Sequence, residues 1–343
     1  MLYREAILRT NRELLKNSNI VILGQGITDF KGMWDTTTNL HSKYPDRIIE
    51  TPIAEDSIAG ICVGLSLNGM YPINTHIRAD FSLLIFNQLI NLIAKYRYMF
   101  GGQFELPMLF RLVIGRSWGQ GAQHSQSLQS LLAHIPGLTV IMPSNSASLN
   151  ASYIYAAKKY KNPIISFEHR LLYELDFDLK GKVNKKNPLN SYIVKKGIDI
   201  TIVATSIMVL ESVRASEYLK DYNIDVEIID LNNISQPDMN LILRSLRKTR
   251  LLVTADTSWK PYGIGAEISR VLLEKDPLLL KKKQINLGNA FASCPTAKRL
   301  EDIYYPGLSE IVKSIVELTD SKNIPIPKKQ SMTDYYKYFK GPF

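Results

Sequence analysis

The chain has 343 residues, with 42 Lys and Arg against 32 Asp and Glu, a formal charge of +10. Apolar residues make up 45% and charged residues 22%, which excludes a disordered, collagen-like or coiled-coil chain; the length suits about two domains. Cys62 and Cys294, the only two cysteines, cannot by themselves build a disulfide framework or a dedicated zinc site.

Met1 to Glu5 runs straight into charged helical sequence, with no apolar signal core and no Arg/Ser-rich transit pattern, so the expectation is a cytoplasmic protein. Residues 4–17 read as an amphipathic helix. Ile20-Val21-Ile22-Leu23-Gly24 is a continuous apolar run ending in glycine, the pattern of a buried parallel strand and its turn. A second strand is expected over 48–53, stopped by Pro52. A helix rich in small residues follows over 57–69, with Gly60 and Gly64 one turn apart on one face. That face suits tight packing inside the domain and a subunit contact equally. A strand starts at Tyr71, and a long helix is expected over 81–98. Its most apolar part carries Asn87, Gln88 and Asn91 and is shorter than the roughly 20 residues a membrane span needs. Strands over 107–111, 138–143 and 162–167 and a helix over 148–159 complete an alternating α/β block. Residues 175–191 are polar and lysine-rich and read as a linker. Beyond it the rhythm resumes: strands over 199–204, 226–230 and 251–254, helices over 208–220 and 238–247, and one opening near Ala266. The expected architecture is α/β, with two doubly wound domains over 1–174 and 192–320. An extended arm over 321–343 ends in the aromatic tail Tyr335-Tyr336-Lys337-Tyr338-Phe339.

The lysine groups at 185–186, 195–196, 281–283 and 328–329 sit near turns or helix ends. With no recognition helix, zinc-finger spacing or aromatic RNA-binding motif, they read as solvated surface, and no nucleic-acid partner is expected. The chain has no phosphate-binding G-x-x-x-x-G-K-[ST] loop, and Gly263-Ile264-Gly265 is a lone GxG. Gly115-Arg116-Ser117-Trp118-Gly119 matches the letters of a nucleophile elbow, but no clear helix follows, and the elbow needs strand, turn and helix. Two segments remain. In Thr51-Pro52-Ile53-Ala54-Glu55-Asp56, Glu55 stands just beyond a parallel strand, where such sheets place ligands; a helix N-terminal acid is the alternative. In Gly119-Gln120-Gly121-Ala122-Gln123-His124-Ser125-Gln126, a glycine-rich loop ends in polar residues around one histidine.

Together these segments resemble the β subunit of the thiamine-diphosphate-dependent decarboxylase component of 2-oxoacid dehydrogenases, whose chain plan also forms the second half of transketolase. The likeness runs from Tyr3-Arg4-Glu5-Ala6 through Thr51 to Glu55, Gly60-Ile61-Cys62-Val63-Gly64, Tyr98-Met99-Phe100-Gly101-Gly102 and Gly121 to Gln126. It continues through His134-Ile135-Pro136-Gly137-Leu138, Glu168 to Tyr173 and Gly263 to Ile268. The resemblance implies a pyrimidine-binding domain followed by a transketolase C-terminal domain. It implies that Glu55 hydrogen-bonds a ring nitrogen of the aminopyrimidine, favouring the imino tautomer that takes the thiazolium proton. It places Ile77 and Phe81 against the pyrimidine ring and His124 near the thiazolium, for proton transfer or for holding the substrate. The G-D-G segment that holds the diphosphate and Mg²⁺ belongs to the family's α chain and is absent here, so an α-type partner in an α₂β₂ assembly is implied. A lipoyl-bearing acyltransferase is a further partner of the dehydrogenases.

Some β chains of the family hold potassium near the positions of Met108, Ala157, Lys158, Tyr160 and Asn162. Here Tyr160 stands where Asp is usual, and Lys158 where the family has an apolar residue. His76-Ile77-Arg78-Ala79-Asp80 replaces a segment that is generally more aromatic and uncharged, and Arg116 and Trp118 replace small loop residues. These departures suggest a more polar, more cationic pocket, with His76, Arg78, Arg116 and Gln123 as candidate substrate contacts. The leading expectation is 2-oxoacid decarboxylation. The alternative is the β-like half of a two-subunit ketol transferase acting on a sugar or sugar phosphate.

Overall fold

Continuous apolar strands must be covered on both faces, and the computed structural model, which describes residues 1–115, 120–176 and 183–329, covers them so. Strands β1 (Ile20–Gly24), β2 (Ile48–Glu50), β3 (Tyr71–His76), β4 (Leu109–Ile114), β5 (Thr139–Ile141) and β6 (Ile164–His169) form one sheet in the order β2-β1-β3-β4-β6-β5. Every pairing in it is parallel. Helices Tyr3–Leu14 and Ser146–Lys159 cover one face, sharing a core with Ile22, Ile73, Leu109 and Val113. The helix Glu55–Leu67 covers the other with Ile58, Ala59 and Cys62, against Val21, Phe110 and Leu112. Chain order reverses between β1 and β3, because β2 lies outside β1. Such a switch point opens a crevice at the carboxyl ends of the two strands.

The second sheet runs β11-β10-β8-β9-β7. It is built from β7 (Tyr192–Lys195), β8 (Ile200–Ala204), β9 (Val226–Asp230), β10 (Leu252–Trp259) and β11 (Ile285–Asn289). Only β7 is antiparallel, to β9. Helices Ile207–Lys220, Met239–Thr249, Ile264–Lys275 and Leu308–Thr319 flank it. The two sheets are joined through the β5 edge. Met142 N–H donates to Asn232 O at 2.8 Å, and Ile234 N–H donates to Val140 O at 2.8 Å. The apolar core passes between the halves, with Ile141, Leu149 and Tyr153 in one cluster with Ile200 and Ile228.

Three expectations are corrected. The helix expected over 81–98 is a 3₁₀ turn over Ala79–Ile85, a π-helical stretch over Gln88–Ile93 and a short helix over Tyr96–Met99. The apolar spacing does hold, since Ile85, Leu89 and Ile93 are buried; spacing fixes which face is buried, not the pitch. The second strand stops at Glu50 rather than Ile53, since Pro52 has no N–H to give a ladder; the Glu50 carboxylate accepts the Gly26 and Thr28 N–H groups at 2.5 and 3.0 Å. Strands β7 and β11 and helices Lys298–Tyr304 and Leu308–Thr319 are additional elements. The start of the expected arm packs on the second half, where Tyr218 Oη donates to Pro325 O at 2.8 Å and Lys329 pairs with Glu310 at 2.7 Å. The aromatic tail and residues 177–182 of the linker lie outside the described residues.

Candidate active site at the open end of the first sheet

The crevice between β1 and β3 is a small, shallow recess lined by Gly24, Gln25, Pro52, Glu55, Ile58, Asn74, Thr75, His76, Ile77 and Phe81. Glu55 is the first residue of its helix, half-buried, and its Oε1 accepts from Gln25 Nε2 at 3.3 Å. Just before Gln25, β1 ends in Gly24, where a Cβ would come within 2.7 Å of Thr75 O. Phe81, 36% exposed, is carried by the 3₁₀ turn that follows β3. Its ring stands edge-on to His124, with centroids 5.6 Å apart.

The β3 sequence Tyr-Pro-Ile-Asn-Thr-His is buried throughout. Yet Asn74 Oδ1, Thr75 Oγ1 and His76 Nε2 are buried without a hydrogen-bond partner. An unsatisfied buried polar group costs about 1–3 kcal/mol; Asn74 and His76 point to one face of β3 and Thr75 to the other. Burial pulls the His76 imidazole down to about 4, so it is neutral at physiological pH. The polar triplet inside an otherwise apolar strand was the signal available in the sequence, and of its three residues sequence reasoning singled out His76 alone.

Of the other site residues expected from sequence, His124 stands one ring away across Phe81, and Gln123 is exposed on the same loop. Arg78 is turned inward and buried. Its guanidinium donates to Gly115 O at 2.7 Å and to the Gln120 carboxamide, and it lies 5.8 Å from the Trp34 ring. Burial, with Arg170 nearby, lowers its pKa to about 10. Asp80 accepts from the backbone and side chain of Gln126 at 3.2 and 3.0 Å. Arg116, Ser117 and Trp118 lie outside the described residues, and the next helix begins only at Gln129.

Met108, Ala157, Lys158, Tyr160 and Asn162 gather at the opposite, amino-terminal edge of the sheet. There the Tyr160 hydroxyl bonds the Thr139 hydroxyl at 2.7 Å, and Asn162 Oδ1 accepts from Arg97 Nη1 at 2.9 Å. Lys158 is exposed and 3.9 Å from Glu13. The Arg97 guanidinium thus sets a positive charge on Asn162, one of the positions named for potassium, and like charges oppose each other.

A carboxylate, an aromatic ring and buried polar atoms line this one crevice. Among the described residues there is no group of three or more His, Cys, Asp or Glu that could hold a metal ion. Beside the crevice the helix Glu55–Leu67 turns Gly60 and Gly64 toward open space, with nothing within 4 Å of a Cβ built on either. Ile53 (84% exposed), Ile61 and Leu84 add apolar surface nearby. The small-residue face is therefore not used for packing within the chain. No helix among the described residues is long and apolar enough to cross a membrane.

A sequence profile described as "Transketolase, pyrimidine binding domain" matches residues 1–175, and "Transketolase, C-terminal domain" matches residues 190–311. The chain is 34% identical over 319 residues to the mitochondrial pyruvate dehydrogenase E1 component subunit beta of Bos taurus, covering 91% of this chain and 89% of that one. It is 30% identical over 304 residues to the corresponding subunit of Rickettsia conorii, covering 88% and 93%. Among solved structures, a split-gene transketolase described as an inactive β4 tetramer has the same fold, with a TM-score of 0.77 at 22% identity over 93% of this chain and 98% of that one. With both domains matched in order and relatives 30% and 34% identical along nearly its whole length, the chain belongs to the family of pyruvate dehydrogenase E1 component β subunits.

Proposed function

We propose that this chain forms the pyrimidine half of a thiamine-diphosphate site in a 2-oxoacid dehydrogenase and is inactive until an α-type partner closes it. The observation that carries this reading is the crevice itself: Glu55, Phe81 and Ile77 line it at the open end of the sheet, beside an uncovered glycine face. The diphosphate and Mg²⁺ belong to the partner, because this chain lacks both the G-D-G segment and, among its described residues, a metal-ligand cluster.

Thiamine diphosphate, when bound, supplies the nucleophile that attacks the 2-oxo carbon and the electron sink that lets carbon dioxide leave. Glu55 accepts a hydrogen bond from the ring and holds its proton, while Gln25 keeps the carboxylate aimed. Phe81 and Ile77 pack on the ring and exclude water. His124, resting on the edge of Phe81, holds the substrate carboxylate or carbonyl or moves a proton there. Arg78 is committed to Gly115 and Gln120, which favours the 2-oxoacid reading over a cationic pocket for a sugar phosphate.

The test is co-expression with an α-type chain of the same family, purification of the complex, and a substrate screen with thiamine diphosphate and Mg²⁺. Decarboxylation of a 2-oxoacid is expected, and ketol transfer between sugars without decarboxylation would replace this reading with the alternative. Glu55→Gln should lower turnover at least roughly 100-fold while the complex still assembles; full activity in that variant would remove Glu55 from its role.

A further inference from the structure

Asp80 stands one residue before Phe81 in the 3₁₀ turn after β3 and is buried. Its Oδ1 accepts two hydrogen bonds from one residue of another loop, the Gln126 N–H at 3.2 Å and Gln126 Nε2 at 3.0 Å. Burial raises the Asp80 carboxyl, and the two Gln126 donors pull the other way. Gln126 lies two residues beyond His124, whose ring meets that of Phe81 edge-on. One carboxylate therefore governs both rings of that contact, Phe81 through the backbone and His124 through hydrogen bonds. Asp80 does not line the crevice, so it reaches the site only through its neighbours.

The second half of the chain holds the remainder of the loop. Gln129 Nε2 donates to Asp256 Oδ1 at 3.0 Å, and the Ser127 and Thr257 hydroxyls lie 3.3 Å apart. Asp256 is the first residue past the β8–β10 pairing, where the second sheet reverses its chain order. An open α/β sheet takes a ligand at such a place; here Gln129 of the first half fills it. At the loop's other end Gly121, at φ +70°, is pressed against Thr296, and a Cβ on it would collide with Thr296 Oγ1. The loop is thus anchored at Gly121, Gln126 and Gln129, and the arch between the first two anchors carries His124.

Resting on the reading above, in which His124 meets the substrate, we propose that Asp80 is a positioning residue: its two hydrogen bonds to Gln126 fix where the His124 imidazole stands against Phe81. A displacement of about 1 Å at a reacting group can cost roughly 100-fold in rate, so an anchor this close to His124 bears on turnover without touching substrate.

A double-mutant cycle on turnover by the co-purified complex tests this. Asp80→Ala should lower kcat roughly 10- to 100-fold. Gln126→Ala, which leaves the backbone donor in place, should lower it roughly 3- to 10-fold. Neither should slow the complex further once His124→Ala is present. Asp80→Asn keeps an oxygen for both donors and should restore most of the rate. Independently of activity, hydrogen exchange of the Gln126 amide should quicken in Asp80→Ala and not in Asp80→Asn. Losses that multiply with that of His124→Ala overturn the proposal, as do full turnover or unchanged exchange in Asp80→Ala. Asp80→Asn as slow as Asp80→Ala also overturns it, because the charge rather than the hydrogen bonds would then be at work. Should Asp80→Ala fail to assemble, the Gln126→Ala arm of the cycle decides alone. If the wild-type complex turns over neither 2-oxoacids nor sugars, the functional reading falls and this inference with it; if it is active and the losses multiply, this inference alone falls.

Discussion

Arg111 and Glu168 face each other across β4 and β6 with no exposed surface on either side chain, joined at 2.7 and 2.9 Å. Tyr153 donates to Glu168 Oε1 at 2.5 Å, and Tyr173 donates to Oε2. Burial pushes the Glu168 carboxyl up, but the Arg111 charge and these donors outweigh it and hold its pKa below the usual value. A depressed carboxylate contributes stability that is present above its unfolded pKa and is lost as pH falls through the folded one. Removing one member strands a buried charge, so Glu168→Gln should cost about 3–5 kcal/mol in urea unfolding at pH 7, with the gap to wild type narrowing toward acid pH. A change under 1 kcal/mol would show that the pair is dispensable. The sequence shows both residues inside strands, but which charge meets which depends on register between strands 57 residues apart. The family likeness, by contrast, led to Glu55, Ile77 and Phe81, which the structure gathers round one crevice, because short motifs fix their places in the chain. The inward turn of Arg78 was not legible, since its carbonyl and carboxamide acceptors come from another loop.

The helix Glu55–Leu67 carries Gly60 and Gly64, each of which weakens a helix interior by about 1 kcal/mol relative to alanine. Sequence alone left two uses for them open, and the empty space beyond both decides against packing inside the chain. Gly64→Leu should therefore leave the fold of this chain intact, with the same or a slightly higher melting temperature, while blocking close approach by another backbone. Size-exclusion chromatography of the co-expressed pair should show the complex dissociated; an unchanged complex would place the partner elsewhere. The segment 79–99 teaches the converse. Its apolar period predicts burial correctly, yet the chain there is tightened into 3₁₀ and widened into π geometry, placing Phe81 at the rim of the crevice. Pitch responds to tertiary contacts that a period cannot encode.

At the scale of the molecule the two halves meet through buried polar groups as well as apolar ones. Asp230, at the end of β9, accepts from Ser144 and, at 2.7 Å, from Tyr192, and Gln129 donates to Asp256 at 3.0 Å. Burial raises Asp230 from 3.8 to about 6, against the lowering effect of its donors. Because the folded pKa is the higher one, its contribution is most favourable below the unfolded pKa and declines as pH rises from about 4 to 6. The shift corresponds to roughly 3 kcal/mol. Asp230→Asn removes that titration, so its stability relative to wild type should rise by up to this amount between pH 4 and 7; a pH-independent difference would show that Asp230 does not titrate in that window. Sequence by itself determined the α/β class, the two halves and the family, because apolar runs, turn residues and short motifs act over a few neighbours and survive translation into letters. The three-dimensional structure alone decided that the glycine face is uncovered, that Arg78 points inward, that Asn74 and His76 lack partners and that the halves lock through Asp230. Each of those depends on which distant groups arrive at the same place, and that is fixed by packing and strand register rather than by local order.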